Sequence, residues 1–239
     1  MNTEFWEIDG LIPARGGSQR IKNKNMRLLT GKPLIYWTIR AAMASKIFRR
    51  IVVSTDDQYT KEYCSKFVDV IDRPPEFATD TSPDVEWIKH YLENNKSADH
   101  FMILRPTSPF RTPQSIIRAW EAYKNDGYAD SLRAITPVKQ HPGKMWRTVE
   151  GAQRINPLMN WYGVGLQASY NSPTQSLPKI YVQSACIEIC EARQVLFRNN
   201  VSGQQIMPFF TDGLESLDLN TPEDWILAEH YIKEGIVKL

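Results

Sequence analysis

The segment Ala14-Arg15-Gly16-Gly17-Ser18-Gln19-Arg20-Ile21-Lys22-Asn23-Lys24-Asn25 concentrates two glycines and four cations, Arg15, Arg20, Lys22 and Lys24. Glycines let backbone N–H groups turn toward a ligand, and the cations supply a field suited to a strongly anionic one such as a triphosphate. The segment has neither the G-x-x-x-x-G-K-[ST] pattern of a P-loop nor the G-x-G-x-x-G dinucleotide fingerprint. The bland alternative is a solvated basic loop. Position favours the ligand: the segment follows the apolar run Ile8 to Pro13, and open α/β sheets bind ligands beyond the carboxyl ends of their strands.

Three more polar segments are expected at the same sheet edge. Ser54-Thr55-Asp56-Asp57 follows a second apolar run, and Arg105-Pro106-Thr107-Ser108-Pro109-Phe110-Arg111-Thr112 follows a later one. Asp218-Leu219-Asn220 closes an expected strand, Glu215 to Leu219, whose alternation would put both polar side chains on one face. Each has a bland reading as a helix cap or a rigid turn. Their convergence on one edge is the stronger argument.

The elements that must carry these residues alternate. Apolar spacing predicts a strand over Ile8 to Pro13, a helix over Pro33 to Ser45 with Pro33 in its first turn, and a strand over Ile51 to Ser54. A helix over Gln58 to Lys66, a strand over Val68 to Ile71 and a helix over Asp84 to Leu92 come next. They are followed by a strand over Phe101 to Leu104 and a helix over Pro113 to Lys124. The fold class is therefore α/β, a Rossmann-like, mostly parallel sheet flanked by helices. After Asp130 the rhythm changes: a strand to Pro137, a long irregular stretch over Gln140 to Ser176, and a strand over Ile180 to Ile189. A long loop inside a compact domain is usually functional or covers a partner. The chain ends in a helix with Thr221 as N-cap, Pro222 at the first position and Glu223 and Asp224 at its positive end.

Composition bounds the partners. The chain has 239 residues, a net charge of +2, 42% hydrophobic and 23% charged residues, and a mean hydropathy of −0.42, the profile of a globular protein. The near-neutral balance argues against nucleic acid, since the basic residues are local to one loop. No run approaches a membrane span, and Met1 to Ile8 has no apolar core of a signal peptide. Three cysteines, Cys64, Cys186 and Cys190, with no C-x-x-C pair, fit a reducing compartment and buried thiols, so a cytoplasmic location is expected. None of His90, His100, His141 and His230 has metal-site spacing.

The stretch Ile12 to Asn25 resembles the signature of the acylneuraminate cytidylyltransferase family, the CMP-sialic acid synthetases and their CMP-nonulosonate relatives. Val53 to Asp57, Arg73 to Asp80, Leu104 to Thr112 and Leu217 to Trp225 match later blocks of that family in order, and the similarity spans residues 8 to 232. The resemblance implies attack of the anomeric hydroxyl of an acidic α-keto sugar on the α-phosphate of CTP, with pyrophosphate leaving under Mg2+ assistance. It implies a triphosphate held and neutralised by Arg15 and Lys24, and a nucleotide site of Ala14, Arg15, Gly16, Gly17, Ser18, Lys24, Asn25, Arg73 and Asp80. Arg105, Thr107, Ser108 and Lys144 would contact the sugar, and Asp218 with Asn220 would hold the metal. It further implies one cytidylyltransferase domain over residues 1–239, carrying a dimerisation or acceptor-covering excursion at residues 138–180, and a homodimer. Trp146, Trp161 and Tyr162 would pack in its interface. Charge builds on phosphoryl oxygens during such a displacement, so fixed cations and a bridging metal carry most of the catalysis. No residue stands out as an obligatory general base.

Four departures from the family pattern matter. Gln19 stands where Lys is common, with Arg20 and Lys22 available to compensate. Asn220 stands where a second metal-binding Asp is usual, so a site with one carboxylate is expected. Arg105 stands where the sialic acid enzymes have Gln, and Pro173 to Ser184 has no Arg where two are expected. Carboxylates favour Arg forks, so Arg105 is the candidate for the acceptor carboxylate, and the acceptor is expected to differ from N-acetylneuraminate. Two other readings stay open: a nucleotidyltransferase acting on a sugar 1-phosphate with another NTP, and a non-catalytic nucleotide-binding paralogue.

Overall fold

The computed structural model describes residues 6–159, 168–211 and 213–239. A seven-stranded sheet is built from β1 (Ile8–Pro13), β2 (Arg50–Thr55), β3 (Asp69–Asp72), β4 (His100–Ile103), β5 (Ser131–Pro137), β6 (Tyr181–Glu191) and β7 (Ile206–Phe210), in the spatial order β7-β5-β6-β4-β1-β2-β3. β1 pairs in parallel with β2 and β4, and β2 with β3, while β6 runs antiparallel to β4. The helices are α1 (Leu34–Ser45), α2 (Gln58–Cys64), α3 (Asp84–Asn94), α4 (Pro113–Asp126), α5 (Ala192–Arg198) and α6 (Pro222–Lys233).

Strand alternation sends side chains to both faces of the sheet. Ile8, Ile12, Val53 and Met102 pack with Ile35 and Ile39 of α1 and Ile116 and Trp120 of α4. Leu11, Val52, Phe101 and Ile103 pack on the other face, with Trp87, Ile88 and Tyr91 of α3 and Val195 of α5. Burying each such side chain contributes roughly 1.5–3 kcal/mol. Parallel register then aligns the carboxyl ends: Pro13 sits opposite Ser54, Thr55 opposite Asp72, and Leu11 opposite Ile103. The loops after β1, β2, β3 and β4 therefore emerge together.

Helix ends follow the residue chemistry. Thr221 caps α6 in a reciprocal capping box with Asp224, and Thr112 does the same for α4 with Ser115. Pro33 is the N-cap of α1, one position earlier than expected, because its extended ψ of 144° lies outside the helix. The expected strand Glu215 to Leu219 is not formed; residues 213–216 are turn and 217–220 irregular. Leu219 N–H donates to the Thr107 carbonyl at 2.8 Å, without a strand ladder over the segment. Sequence reading missed α5 and β7, both short.

A third apolar cluster lies beneath the basic loop: Ile21, Leu29, Leu34, Phe110, Leu219 and Trp225. It anchors that loop to α1, α6 and the segment after β4. Between Leu28–Leu29 and Lys32–Pro33 the chain reverses at Thr30 and Gly31, both with positive φ, as a two-residue hairpin turn requires.

The chain forms two compact units, residues 1–134 with 184–239, and residues 135–183. The second unit holds a 3-10 turn, Pro142–Lys144, and a ribbon of Trp146–Arg147 with Asn156–Pro157. In it His141 is buried, its Nδ1 accepting from Gly143 N–H at 3.0 Å and its Nε2 facing the Pro178 carbonyl at 2.9 Å, so this histidine is structural. Trp161 and Tyr162 lie outside the described residues.

Buried polar groups mark the opposite end of the sheet from the loops. Asp9, fully buried, accepts from Arg49, Tyr91 Oη and Ala98 N–H. His100 stacks on Trp6 with ring centroids 4.8 Å apart, and its Nδ1 is buried without a partner among the described residues. Burial pushes its pKa down. The unfolded chain therefore takes up a proton below pH ~6.5 that the folded state resists, and stability falls as pH drops through that region. In His100→Phe this loss is absent. Wild-type and variant urea midpoints are expected to diverge between pH ~7 and ~5, by up to about 1.4 kcal/mol per pH unit for one proton; parallel profiles would refute it.

Candidate active site

A cavity of about 350 Å³ opens at the carboxyl edge of the sheet, lined by Arg15, Ser18, Lys24, Asn25, Arg73, Asp84, Arg105 and Thr107 among others. Seven of the residues singled out from sequence for nucleotide or sugar, Ser18 among them, thus share this lining with Asp84. Ser108 does not line it: the side chain is fully buried, with its hydroxyl unpartnered.

The loop is held by carboxylates from neighbouring segments. Arg15 Nη2 lies 2.7 Å from Asp80 Oδ1, and its Nη1 donates to the Gly17 and Ala78 carbonyls at 3.2 and 3.4 Å. Gly16 N–H donates to Asp56 Oδ1 at 2.8 Å. Space is tight here, since a Cβ on Gly16 would lie 3.1 Å from Asp57 Cβ. Ala14 is buried and acts through its backbone, its N–H on the Ser54 carbonyl and its carbonyl accepting from Thr55 Oγ1. Asn25 Nδ2 donates to the Arg15 carbonyl at 3.1 Å, which fixes the two ends of the loop together. Asp57 caps α2, so of the adjacent pair one carboxylate serves the helix and the other serves the loop.

Opposite stand Asp218 and Asn220. Asn220 Oδ1 accepts from Lys24 Nζ at 3.3 Å and from Arg20 Nη2 at 3.4 Å, and Asn220 Nδ2 donates to Asp218 Oδ2. The amide thus turns its oxygen to the cations and its nitrogen to the carboxylate. Asp218 Oδ1 is buried with no partner among the described residues. Burial lowers the Lys24 pKa, Asp218 opposes that shift, and Arg20 and Arg15 reinforce it. Among the described residues no group of three or more His, Cys, Asp or Glu is placed to hold a metal. Mg2+ does not require one, because it keeps several waters and uses one or two carboxylates plus substrate phosphates.

Arg73 and Arg105 form the cavity floor. Arg73, buried, donates from Nε and Nη2 to Ser54 Oγ and carbonyl, both at 3.1 Å, and stacks over Trp87 at 4.7 Å. Desolvation brings its pKa down to about 10. Arg105 donates to Glu188 Oε1 at 2.7 and 2.9 Å and to Asp84 Oδ2 at 2.5 Å. Glu188, 3% exposed, also pairs with Arg133. The fully buried Arg111 braces this turn, donating to the Cys186 carbonyl at 2.5 Å and to Thr38 Oγ1 at 2.9 Å. Asp84 and Glu188 escaped the sequence reading. Glu188 left a signal, a lone carboxylate between Ile187 and Ile189 in an apolar strand.

Lys144 belongs to the second compact unit, exposed at the end of its 3-10 turn. The three cysteines are free and buried, and burial pushes their pKa values up, Cys64 to about 12, Cys186 to about 11 and Cys190 to about 12, which leaves no thiolate for chemistry.

Comparison with known proteins identifies the family. The cytidylyltransferase family model matches residues 10–158. The chain is 32% identical to CMP-N,N'-diacetyllegionaminic acid synthase of Legionella pneumophila, over 93% of this chain and 94% of that protein. It is 31% identical to N-acylneuraminate cytidylyltransferase of Escherichia coli over 93% of its length, where it spans 51% of the relative. In fold it is similar to CMP:2-keto-3-deoxy-manno-octonic acid synthetase, solved with CTP, with a TM-score of 0.70 at 14% identity, covering 96% of this chain and 99% of that one. The match of the family model over most of the chain, together with the Legionella relative aligned over nearly its whole length, shows that the chain belongs to the cytidylyltransferase family and is a CTP-dependent nucleotidyltransferase.

Proposed function

We propose that this enzyme joins CMP from CTP to the anomeric hydroxyl of an acidic α-keto sugar, a sialic acid-like nonulosonic or other 3-deoxy-ulosonic acid, and releases pyrophosphate. The observation that supports the mechanism is the pair of cations Arg20 and Lys24 on Asn220, beside an Asp218 carboxylate whose Oδ1 has no partner among the described residues, with Arg15 on the same loop. The names of the Legionella and Escherichia coli relatives support the acceptor class.

Arg15 and Lys24 neutralise the triphosphate. The Arg15–Asp80 pair, 32% and 48% exposed, is worth little in water and is readily exchanged for phosphate oxygens. Gly16 N–H, parked on Asp56, is a further donor for the same oxygens, with Gly17 and Ser18 beside it. Asn25 and Arg73 fix the nucleotide, Arg73 held rigid by Ser54 and Trp87. Arg105 and Thr107 face the acceptor; Asp84 and Glu188 fix the Arg105 guanidinium through Nε and Nη2 and leave its Nη1 without a hydrogen bond among the described residues. Asp218 Oδ1 would hold Mg2+, with Asn220 adjacent. When bound, the ion would draw charge from the phosphate oxygens.

The exposed apolar side chains Met145, Trp146, Val149, Ile155 and Val182 of the second unit support a homodimer formed through that unit. The unpaired cysteines fit a reducing, cytoplasmic setting.

Mass spectrometry of products from CTP, Mg2+ and a panel of nonulosonic acids tests the assignment. A CMP-sugar and pyrophosphate are expected, with N-acetylneuraminate a poor acceptor because Arg105 replaces the usual Gln. Turnover confined to N-acetylneuraminate would overturn the acceptor reading, and product from a sugar 1-phosphate with another NTP would overturn the reaction.

A further inference from the structure

A second cavity, of about 580 Å³, lies against the same loop, and Arg15, Lys24 and Asn25 line both it and the nucleotide cavity. The two spaces therefore meet at those three side chains. Beyond them the lining differs. The nucleotide cavity continues along the segments after β3 and β4, whereas the second runs toward Lys22, Arg27 and Leu28 of the loop and Asp57 and Tyr59 after β2. None of the second cavity's lining comes from the segments after β3 and β4, so it lies apart from Arg105 and Thr107.

Charge follows the same division. Lys22 and Arg27 have no carboxylate partner among the described residues; Arg27 only stacks over Trp225 at 4.6 Å. Asp57, the one acid in the lining, is already committed to Thr60 N–H and Oγ1 at 2.7 and 2.6 Å. The space is thus bordered by Arg15, Lys22, Lys24 and Arg27 against one engaged carboxylate.

We infer that this second cavity receives the pyrophosphate leaving group, with Lys22 and Arg27 as its dedicated cations, an inference that rests on the reaction proposed above. In the displacement the acceptor hydroxyl oxygen forms a bond to the α-phosphorus while the bond from that phosphorus to the bridging oxygen breaks. The electron pair departs with pyrophosphate and the hydroxyl proton goes to solvent. Attacking and leaving oxygens lie roughly in line. An acceptor on the Arg105 side therefore expels pyrophosphate away from it, past Arg15 and Lys24 and into the space beyond. Arg15 and Lys24 touch the phosphates before and after cleavage; Lys22 and Arg27 meet them only as they leave.

Inorganic pyrophosphate is the probe, with the full chain. In Lys22→Gln and Arg27→Gln the inhibition constant of pyrophosphate is expected to rise ~10-fold, the loss of one charge-assisted contact. The KM for CTP should change less than about 3-fold, because a uniform loss of triphosphate binding would move both constants together. Lys32→Gln removes the same charge from an exposed position outside both cavities and should move neither. Equal shifts in both constants, or a shift in Lys32→Gln as large as in Lys22→Gln, would overturn the assignment. Calorimetric titration of pyrophosphate into nucleotide-free protein keeps the two readings apart. Binding that Lys22→Gln weakens supports the cavity even where no CMP-sugar forms, and binding that it leaves unchanged refutes the cavity whatever the reaction.

Discussion

Asp218→Asn is expected to lower kcat by ~10³-fold while leaving the thermal midpoint within about 2 °C of wild type. The size follows from a role in holding a metal at the reacting phosphate, an effect worth several kcal/mol, with each 1.4 kcal/mol a factor of ten. Stability is spared because Asp218 Oδ1 has no partner among the described residues to lose, and an amide can keep the contact with Asn220. A structural aspartate would behave oppositely, with a lower midpoint and activity close to wild type. The rate loss should be partly reversed by raising the Mg2+ concentration or substituting Mn2+, if the remaining amide oxygens still present a weakened site. Residual activity above a tenth of wild type under saturating Mg2+ would remove Asp218 from the metal site. Asn220→Asp gives the complementary sign: a second carboxylate beside Asp218 should lower the Mg2+ concentration needed for half-maximal activity.

Lys24→Met is the second large effect, with kcat/KM for CTP expected to fall ~10²- to 10³-fold, the range for losing one preorganised charge contact in a transition state. Lys24 is placed by more than its charge. Its Nζ donates to Asn220 Oδ1, and it borders both cavities, so it can follow the phosphates through the displacement. Most of the loss should lie in kcat, because the charge it meets grows as the bridging bond breaks. Lys24→Arg should recover part of the activity by restoring the cation, though the planar guanidinium fits a single-point contact less well than the ammonium. A loss confined to KM would make Lys24 a ground-state anchor only.

The parts of the site that were legible in the sequence are those whose chemistry is local. The glycines and cations of residues 14–25 announce an anion loop, and Thr221 with Pro222 and Asp224 announces a capped helix, because each depends on neighbours a few positions away. Arg73 and Asp218 came through block resemblance. Glu188 and Asp84 did not come through at all. Their importance lies in a partner, Arg105, 83 and 21 positions distant, and no local spacing records that. Asp56 shows the same limit from closer range. Adjacent to Asp57 and chemically identical, it is separated from it only by where the backbone points each side chain, one to the α2 N-terminus and one across to Gly16 N–H.

The expected strand before Asp218 illustrates the reverse error. Ser216 to Leu219 alternates polar and apolar residues, but a strand needs a neighbour to pair with, and the segment is turn and irregular chain with Leu219 N–H on the Thr107 carbonyl. The segment is held instead by burying Leu219 in the cluster with Ile21 and Trp225. Asp218 and Asn220 still reach the loop, carried by packing and not by pleat.

Sequence by itself determined the α/β class, the polar loops at strand ends and the anionic character of the ligand, because hydrophobic period, capping and charge density are properties of short windows. Only the tertiary structure decided which carboxylate meets which cation: Asp80 on Arg15, Asp56 on the Gly16 amide, Asp84 and Glu188 on Arg105, and Asp218 left with an oxygen free. Those pairings are set by the register that aligns β1, β2, β3 and β4 and by the buried anchors under the loop, and electrostatic energy depends on distances in space that the order of residues along the chain does not contain.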